Sequence, residues 1–147
     1  MKDYLKQLLD ERKTRLPERG LVREYLQARI LQALQDNNVF LNWSFHGGTS
    51  LRFLYSIPRY SEDLDFVLVE PDRDCRFRET VEAVQRSFED ENYIVQLKVN
   101  DRKTVASGFI RFPGLLYELG ISPHREEKIS VKLEVDTAGF EDGTDAV

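Results

Sequence analysis

The sequence predicts an α+β fold, a mixed β-sheet flanked by helices and preceded by two N-terminal helices. Three observations carry that reading. Apolar residues recur at one-turn spacing in the first 36 residues and again near the middle. Five short segments are β-branched, aromatic or alternating over strand lengths. Gly, Pro, Asn and Asp cluster between them, where turns are needed. The implied order is ααβαβαβββ, and 147 residues suit one compact domain.

Each element has its own signal. Tyr4, Leu5, Leu8 and Leu9 place a first helix at about 2–14, punctuated by Pro17 and Gly20. Val22, Leu26, Ile30 and Ala33/Leu34 form the apolar stripe of a second, about 20–36, ended by Asp36-Asn37-Asn38. Residues 39–46 read as a strand without a breaker. Gly47-Gly48 follow, and 49–56 reads as a short helix. After a loop at 57–60, residues 62–69 form the next strand, stopped by Pro71 and Asp72. Asp74 is placed to cap a helix at about 75–90, whose stripe is Phe77, Val81, Val84 and Phe88. Tyr93, Val95, Leu97 and Val99 face one way in a strand at 93–99. Strands at about 105–112 and 129–136 follow, separated by Pro113-Gly114 and an ambiguous stretch at 115–120. The tail 137–147 is polar and Gly-rich and reads as loose.

Composition excludes several classes. No apolar run approaches the roughly 20 residues needed to span a bilayer. A lone cysteine, Cys75, excludes an intrachain disulfide and a Cys-based zinc cage. That usage fits a reducing cytoplasm. The net charge of −5 disfavours a generic basic nucleic-acid clamp, but an acidic lobe can act on nucleotides when metal ions sit between carboxylates and phosphates.

Three pieces of the chain carry chemistry. Gly47-Gly48-Thr49-Ser50 lies between a strand and a helix. Glycines allow close backbone approach, and a helix N-terminus offers unpaired N–H groups to an anion. Taken alone, such a pair is more often a plain tight turn. Asp63 and Asp65 stand at i and i+2 of a strand, so they share a face ~6.6 Å apart along the chain. Two aligned carboxylates repel unless a cation lies between them. An isolated pair of this kind is usually a solvated strand end. Lys132, Glu134 and Asp136 share one face of the last strand, and Val131, Leu133 and Val135 the other. An edge strand with one wet face would look the same. Pairing of the two strands would make Glu134 a third carboxylate. Such oxygen-only ligands suit Mg²⁺, with Lys132 free to neutralise a phosphate.

The run HGGTSLRFLYSIPRYSEDLDFVLV resembles the opening motif of the AbiEii/AbiGii group, within the polymerase-β-like nucleotidyltransferase superfamily. The matching positions are Gly47, Gly48, Thr49, Leu51, Arg52, Arg59, Tyr60, Ser61, Glu62, Asp63, Leu64, Asp65 and Phe66. Leu133-Glu134-Val135 resembles the later acid of that superfamily, which ranks Glu134 above Asp136. The resemblance implies a nucleotidyltransferase fold with a catalytic core at 39–136, N-terminal helices at 1–38 packed on it, and a flexible tail at 137–147. Relatives usually continue into a helical C-terminal lobe, expected to be absent here. It further implies metal ligation by Asp63, Asp65 and Glu134, with Mg²⁺ or Mn²⁺, and nucleotide contacts from Gly47, Gly48, Thr49, Ser50, Arg52 and Ser61. Lys132 would steady the triphosphate.

The implied reaction moves an NMP from an NTP to a hydroxyl acceptor, RNA or tRNA, in a toxin of a toxin–antitoxin or phage-defence system. A cognate antitoxin is the implied protein partner, with no membrane involved. Two alternatives stay open: a nucleotide- or antitoxin-binding module without turnover, and a small-molecule (antibiotic) adenylyltransferase. Of the remaining residues, Trp43 and Phe45 read as core and His46 as a strand-end packing residue. Arg52 divides evenly between a phosphate contact and a surface pair with Glu62 or Asp63, and Arg59 could orient Asp65. His124 reads as solvated and Cys75 as a helix-start residue.

Overall fold

The computed structural model describes residues 5–7, 9, 18–46, 63–70 and 75–138, the side chains of Phe45 and His46 excepted. Helix α1 spans Glu18–Asp36, and a 3₁₀ turn covers Val39–Leu41. Strand β1 is Trp43–His46 and β2 is Asp63–Leu68. Helix α2 runs Phe77–Glu89, followed by β3 (Gln96–Asn100) and β4 (Val105–Pro113). A single-turn helix, α3, covers Leu115–Glu118, and β5 is Lys128–Asp136. Of the first expected helix, the described residues 5–7 and 9 are helical. The expected helix at 49–56 and the loop before Asp63 lie outside the described residues.

The five strands form one sheet in the order β1-β2-β5-β4-β3. β2 and β5 run parallel, and every other neighbouring pair is antiparallel. The sheet is mixed, as expected, and β5 is central rather than an edge strand. Alternation divides its two faces. Leu64, Phe66, Leu68, Ile129, Val131, Leu133, Val135, Ala106, Ile110 and Phe112 are buried on one face. They join the α1 stripe of Val22, Leu26, Ile30, Ala33 and Leu34 and the α2 stripe of Phe77, Val81, Val84 and Phe88 in one apolar cluster. Aromatic rings interlock there. Trp43 lies 5.5 Å from Phe66 and 5.7 Å from Phe77, centroid to centroid, and Phe88 packs edge-on against Tyr93 and Phe112.

Three local departures stand out. Only Trp43–His46 of the expected strand at 39–46 is extended. Its partner β2 ends at Leu68, the Asn42 carbonyl accepts the Val69 N–H at 2.7 Å, and the ladder stops. The segment before it curls into a 3₁₀ turn so that Phe40 stacks 6.0 Å from Phe66. The expected strand at 93–99 begins only at Gln96, yet Tyr93 and Val95 are buried in the expected phase. The ambiguous stretch at 115–120 is the α3 turn, which buries Leu115 and Leu116. Gly114 enters it at φ 78, and a Cβ there would meet the Arg125 carbonyl at 3.3 Å.

α2 begins at Phe77. Asp74, expected to cap it, lies outside the described residues. The residue preceding the helix is Arg76, at φ 53, which makes no side-chain cap. Its guanidinium reaches Glu79 in the first turn at 2.6 Å.

Polar ties join the helices to the sheet ends. Arg29 of α1 grips Glu91 with two hydrogen bonds, 2.7 and 2.8 Å, and its guanidinium lies 5.7 Å from the Phe88 ring centroid. That pairing raises the Arg29 pKa further above its ordinary value. Arg19 at the start of α1 donates twice to Glu127, just before β5. Ser122 donates to the same carboxylate at 2.5 Å. Arg19 first, then Ser122, hold the Glu127 carboxyl below its ordinary range.

Two outcomes follow. Gly108 of β4 lies beneath α2, and an added Cβ would sit 3.2 Å from the Phe77 ring. Gly108→Ala is expected to cost about 1–3 kcal/mol by overpacking, read as a lowered urea midpoint at unchanged slope. Glu127 contributes stability above its unfolded pKa near 4.5, and that contribution is lost as pH falls through its lower folded value. Acid titrations of stability should therefore fall less steeply below that pH in Glu127→Gln than in the wild type.

Candidate active site

The opposite face of the sheet is polar and half exposed. Strand register sets its rows. Asp65 stands beside Glu134 across the parallel β2–β5 pair, and Asp63 beside Lys132. On the far side of β2, His46 is the register partner of Asp65. On the far side of β5, Ser107 partners Glu134 and Phe109 partners Lys132.

Each acid owes its direction to its strand. Leu64, Phe66 and Leu68 are drawn beneath the helices by their apolar side chains, so Asp63 and Asp65 must project from the other face. Leu133 and Val135 do the same for Glu134. The result is convergence: one carboxylate oxygen from each of Asp63, Asp65 and Glu134 lies within 4.8 Å of the other two. All three residues are half-buried.

Lys132 Nζ is 3.2 Å from Glu134 Oε1, with both side chains about a third exposed (31% and 29%). The ammonium therefore supplies local positive charge beside the acids. It also lies 5.6 Å from the Phe109 ring centroid. The donor set fits a hard divalent cation: three carboxylates, no thiolate, and spacing that needs little adjustment to meet one ion or to bridge two ~3.5–4 Å apart.

Asp136 takes no part in this cluster. Its register partner is Val67, and its Oδ1 accepts the Ala138 N–H at 3.0 Å in the turn that follows β5. Val67 is buried on the triad face, and Val69, past the strand end, is 42% exposed.

Gly47, Gly48, Thr49, Ser50, Arg52, Arg59 and Ser61 lie outside the described residues. Trp43 is buried as expected, and its Nε1–H donates to the Cys75 carbonyl at 3.3 Å. His124 is exposed on its loop. Sequence reasoning missed Ser107, Phe109 and Arg111, which share the triad face of β4. Their alternation with Ala106, Gly108 and Ile110 was visible, but not which strand they would neighbour. A cleft of about 360 Å³ lies elsewhere, among Asn37, Asn42, Trp43, Thr80 and Arg86. None of the three acids lines it.

No helix among the described residues is long and apolar enough to cross a membrane. No curated protein sequence matches the chain. Two solved structures do. One, described as a nucleotidyltransferase from H. pylori, is 22% identical with a TM-score of 0.58, over 90% of this chain and 52% of that one. The other, JHP933 from Helicobacter pylori, is 21% identical with a TM-score of 0.52, over 88% of this chain and 47% of that one. At that identity the likeness is one of fold, and the chain spans about half the length of each. The model of a nucleotidyl transferase family, the AbiEii toxin of type IV toxin–antitoxin systems, matches residues 29–146, including all three converging acids. With the fold, the family match and the acid cluster in agreement, this chain belongs to the AbiEii nucleotidyl transferase toxin family.

Proposed function

We propose that the chain is the catalytic lobe of a metal-dependent nucleotidyltransferase. It moves an NMP from an NTP to a hydroxyl acceptor on RNA, tRNA included, as the cytoplasmic toxin of a toxin–antitoxin or phage-defence system with a cognate antitoxin. The observation that carries this reading is the meeting of Asp63, Asp65 and Glu134 within 4.8 Å. Three carboxylates that close, from two strands, are costly unless a cation is shared between them.

Asp63, Asp65 and Glu134 would hold Mg²⁺ or Mn²⁺. When bound, such ions acidify the attacking hydroxyl and neutralise charge on the departing pyrophosphate. The acceptor oxygen forms a bond to the α-phosphorus, the bond from that phosphorus to the bridging oxygen of the β-phosphate breaks, and pyrophosphate leaves. Glu134, nearest the β4 side, would receive the hydroxyl proton. Lys132 holds Glu134 at 3.2 Å and adds positive charge where triphosphate oxygens gather. Gly47, Gly48, Thr49 and Ser50 follow β1 in the sequence and would supply backbone N–H and hydroxyl donors for the phosphates, with Arg52 and Ser61 as further contacts.

Two measurements test the reading. With labelled NTP, Mg²⁺ and bulk RNA, the wild type should label RNA and release pyrophosphate. Asp63→Ala should lose on the order of 10²–10⁴ of that rate, as removal of metal-borne charge stabilisation implies. Equal transfer by Asp63→Ala defeats the assignment. NTP binding without pyrophosphate release would indicate a binding module, and transfer to a cationic small hydroxyl compound in preference to RNA would indicate an antibiotic-type adenylyltransferase.

Metal binding alone gives a separate readout. Mg²⁺ or Mn²⁺ at roughly 100 times its dissociation constant should raise the wild-type melting midpoint by about 5–10 °C. The shift should vanish in the Asp63→Asn, Asp65→Asn double variant.

A further inference from the structure

The triad sits at one side of the open sheet face, and the other side has a different character. Next to the row Ser107–Glu134–Asp65 runs the row Lys98–Phe109–Lys132, which ends at Asp63 on β2, and beyond it Gln96–Arg111–Ser130. These last two rows, taken over β3, β4 and β5, hold three cations, one aromatic ring and no carboxylate, on a chain of net charge −5. The groups are in contact: Arg111 Cζ lies 5.1 Å and Lys132 Nζ 5.6 Å from the Phe109 ring centroid. Lys98 is exposed and Phe109 and Arg111 are half-buried.

We infer that this patch seats the single-stranded end of the nucleic-acid acceptor, with a base stacked on the Phe109–Arg111 surface and phosphates met by Lys98 and Arg111. Rings and guanidinium planes accept any nucleobase, while nearby cations track a sugar-phosphate backbone. Phe109 is one strand and two residues from Glu134, about 8 Å between backbone positions by sheet spacing. A base there belongs to the reacting nucleotide or its neighbour.

Phe109 is on β4, which borders β5, whereas Asp63 and Asp65 are on β2, across β5 from it. Lys132, on β5, stands between the aspartates and the ring. That the bound strand is the acceptor rests on the transferase reading; its binding does not.

The test is fluorescence anisotropy of the full chain with a labelled single-stranded RNA, without NTP or divalent metal, beside calorimetry of NTP with Mg²⁺. Phe109→Ala should weaken RNA binding roughly 5- to 150-fold and leave NTP affinity within about twofold. Phe109→Trp should retain RNA affinity. Phe109→Leu, which keeps apolar bulk without a π face, should behave like Phe109→Ala and covers a folding defect in the latter. Lys98→Gln and Arg111→Gln should each lower the salt dependence of RNA binding by about one unit of slope.

Unchanged RNA affinity in both Phe109→Ala and Phe109→Leu overturns the inference. So does loss of NTP affinity with RNA binding intact, which would make the patch a donor-base site. If Asp63→Ala leaves transfer intact while Phe109→Ala still loses RNA, the transferase reading falls and this surface stands.

Discussion

Everything at the candidate site depends on the register of one parallel strand pair. Asp65 opposite Glu134 and Asp63 opposite Lys132 is one alignment of β2 on β5. A slip of one residue would turn a whole strand over, bringing Leu64 or Leu133 to the wet face and an aspartate or glutamate beneath the helices. The buried face prevents this. Leu64, Phe66, Leu68, Val131, Leu133 and Val135 are each at most 2% exposed, so a one-residue slip of either strand would expose three of them.

The covered face therefore does more than stabilise. It holds the backbone that aims three mutually repelling carboxylates, and Lys132 offsets part of that repulsion from within β5 itself. The helices contribute through the same core. α1 and α2 lay their apolar stripes on the sheet, and Gly108 lets Phe77 approach β4 closely. Arg29–Glu91 and Arg19–Glu127 tie α1 to the turn after α2 and to the approach to β5. These are half-exposed pairs, of modest worth beside the aromatic cluster they flank.

The open face is asymmetric in charge. Acids gather along β2 and β5, and cations with a ring lie across β4 and β3. Net charge hides this arrangement, because −5 is an average over regions of opposite sign.

Much of the fold was legible from local pattern. The stripes of α1 and α2, the phase of β3 and the alternation of β4 and β5 follow from periodicity, which sequence carries directly. So does the pairing of Asp63 with Asp65, since i and i+2 share a face in any strand. The motif also pointed to Glu134 over Asp136. Other features needed the third dimension. Val39–Leu41 left the strand because its partner ended at Leu68, and the α3 turn took shape from two leucines reaching the core. Only the sheet order brought Glu134 within 4.8 Å of the aspartates, more than sixty residues away in the chain, and set Phe109 and Arg111 beside Lys132. Sequence determines which way a side chain points from its own strand; which strand stands next to it is settled by how the whole apolar surface is buried at once.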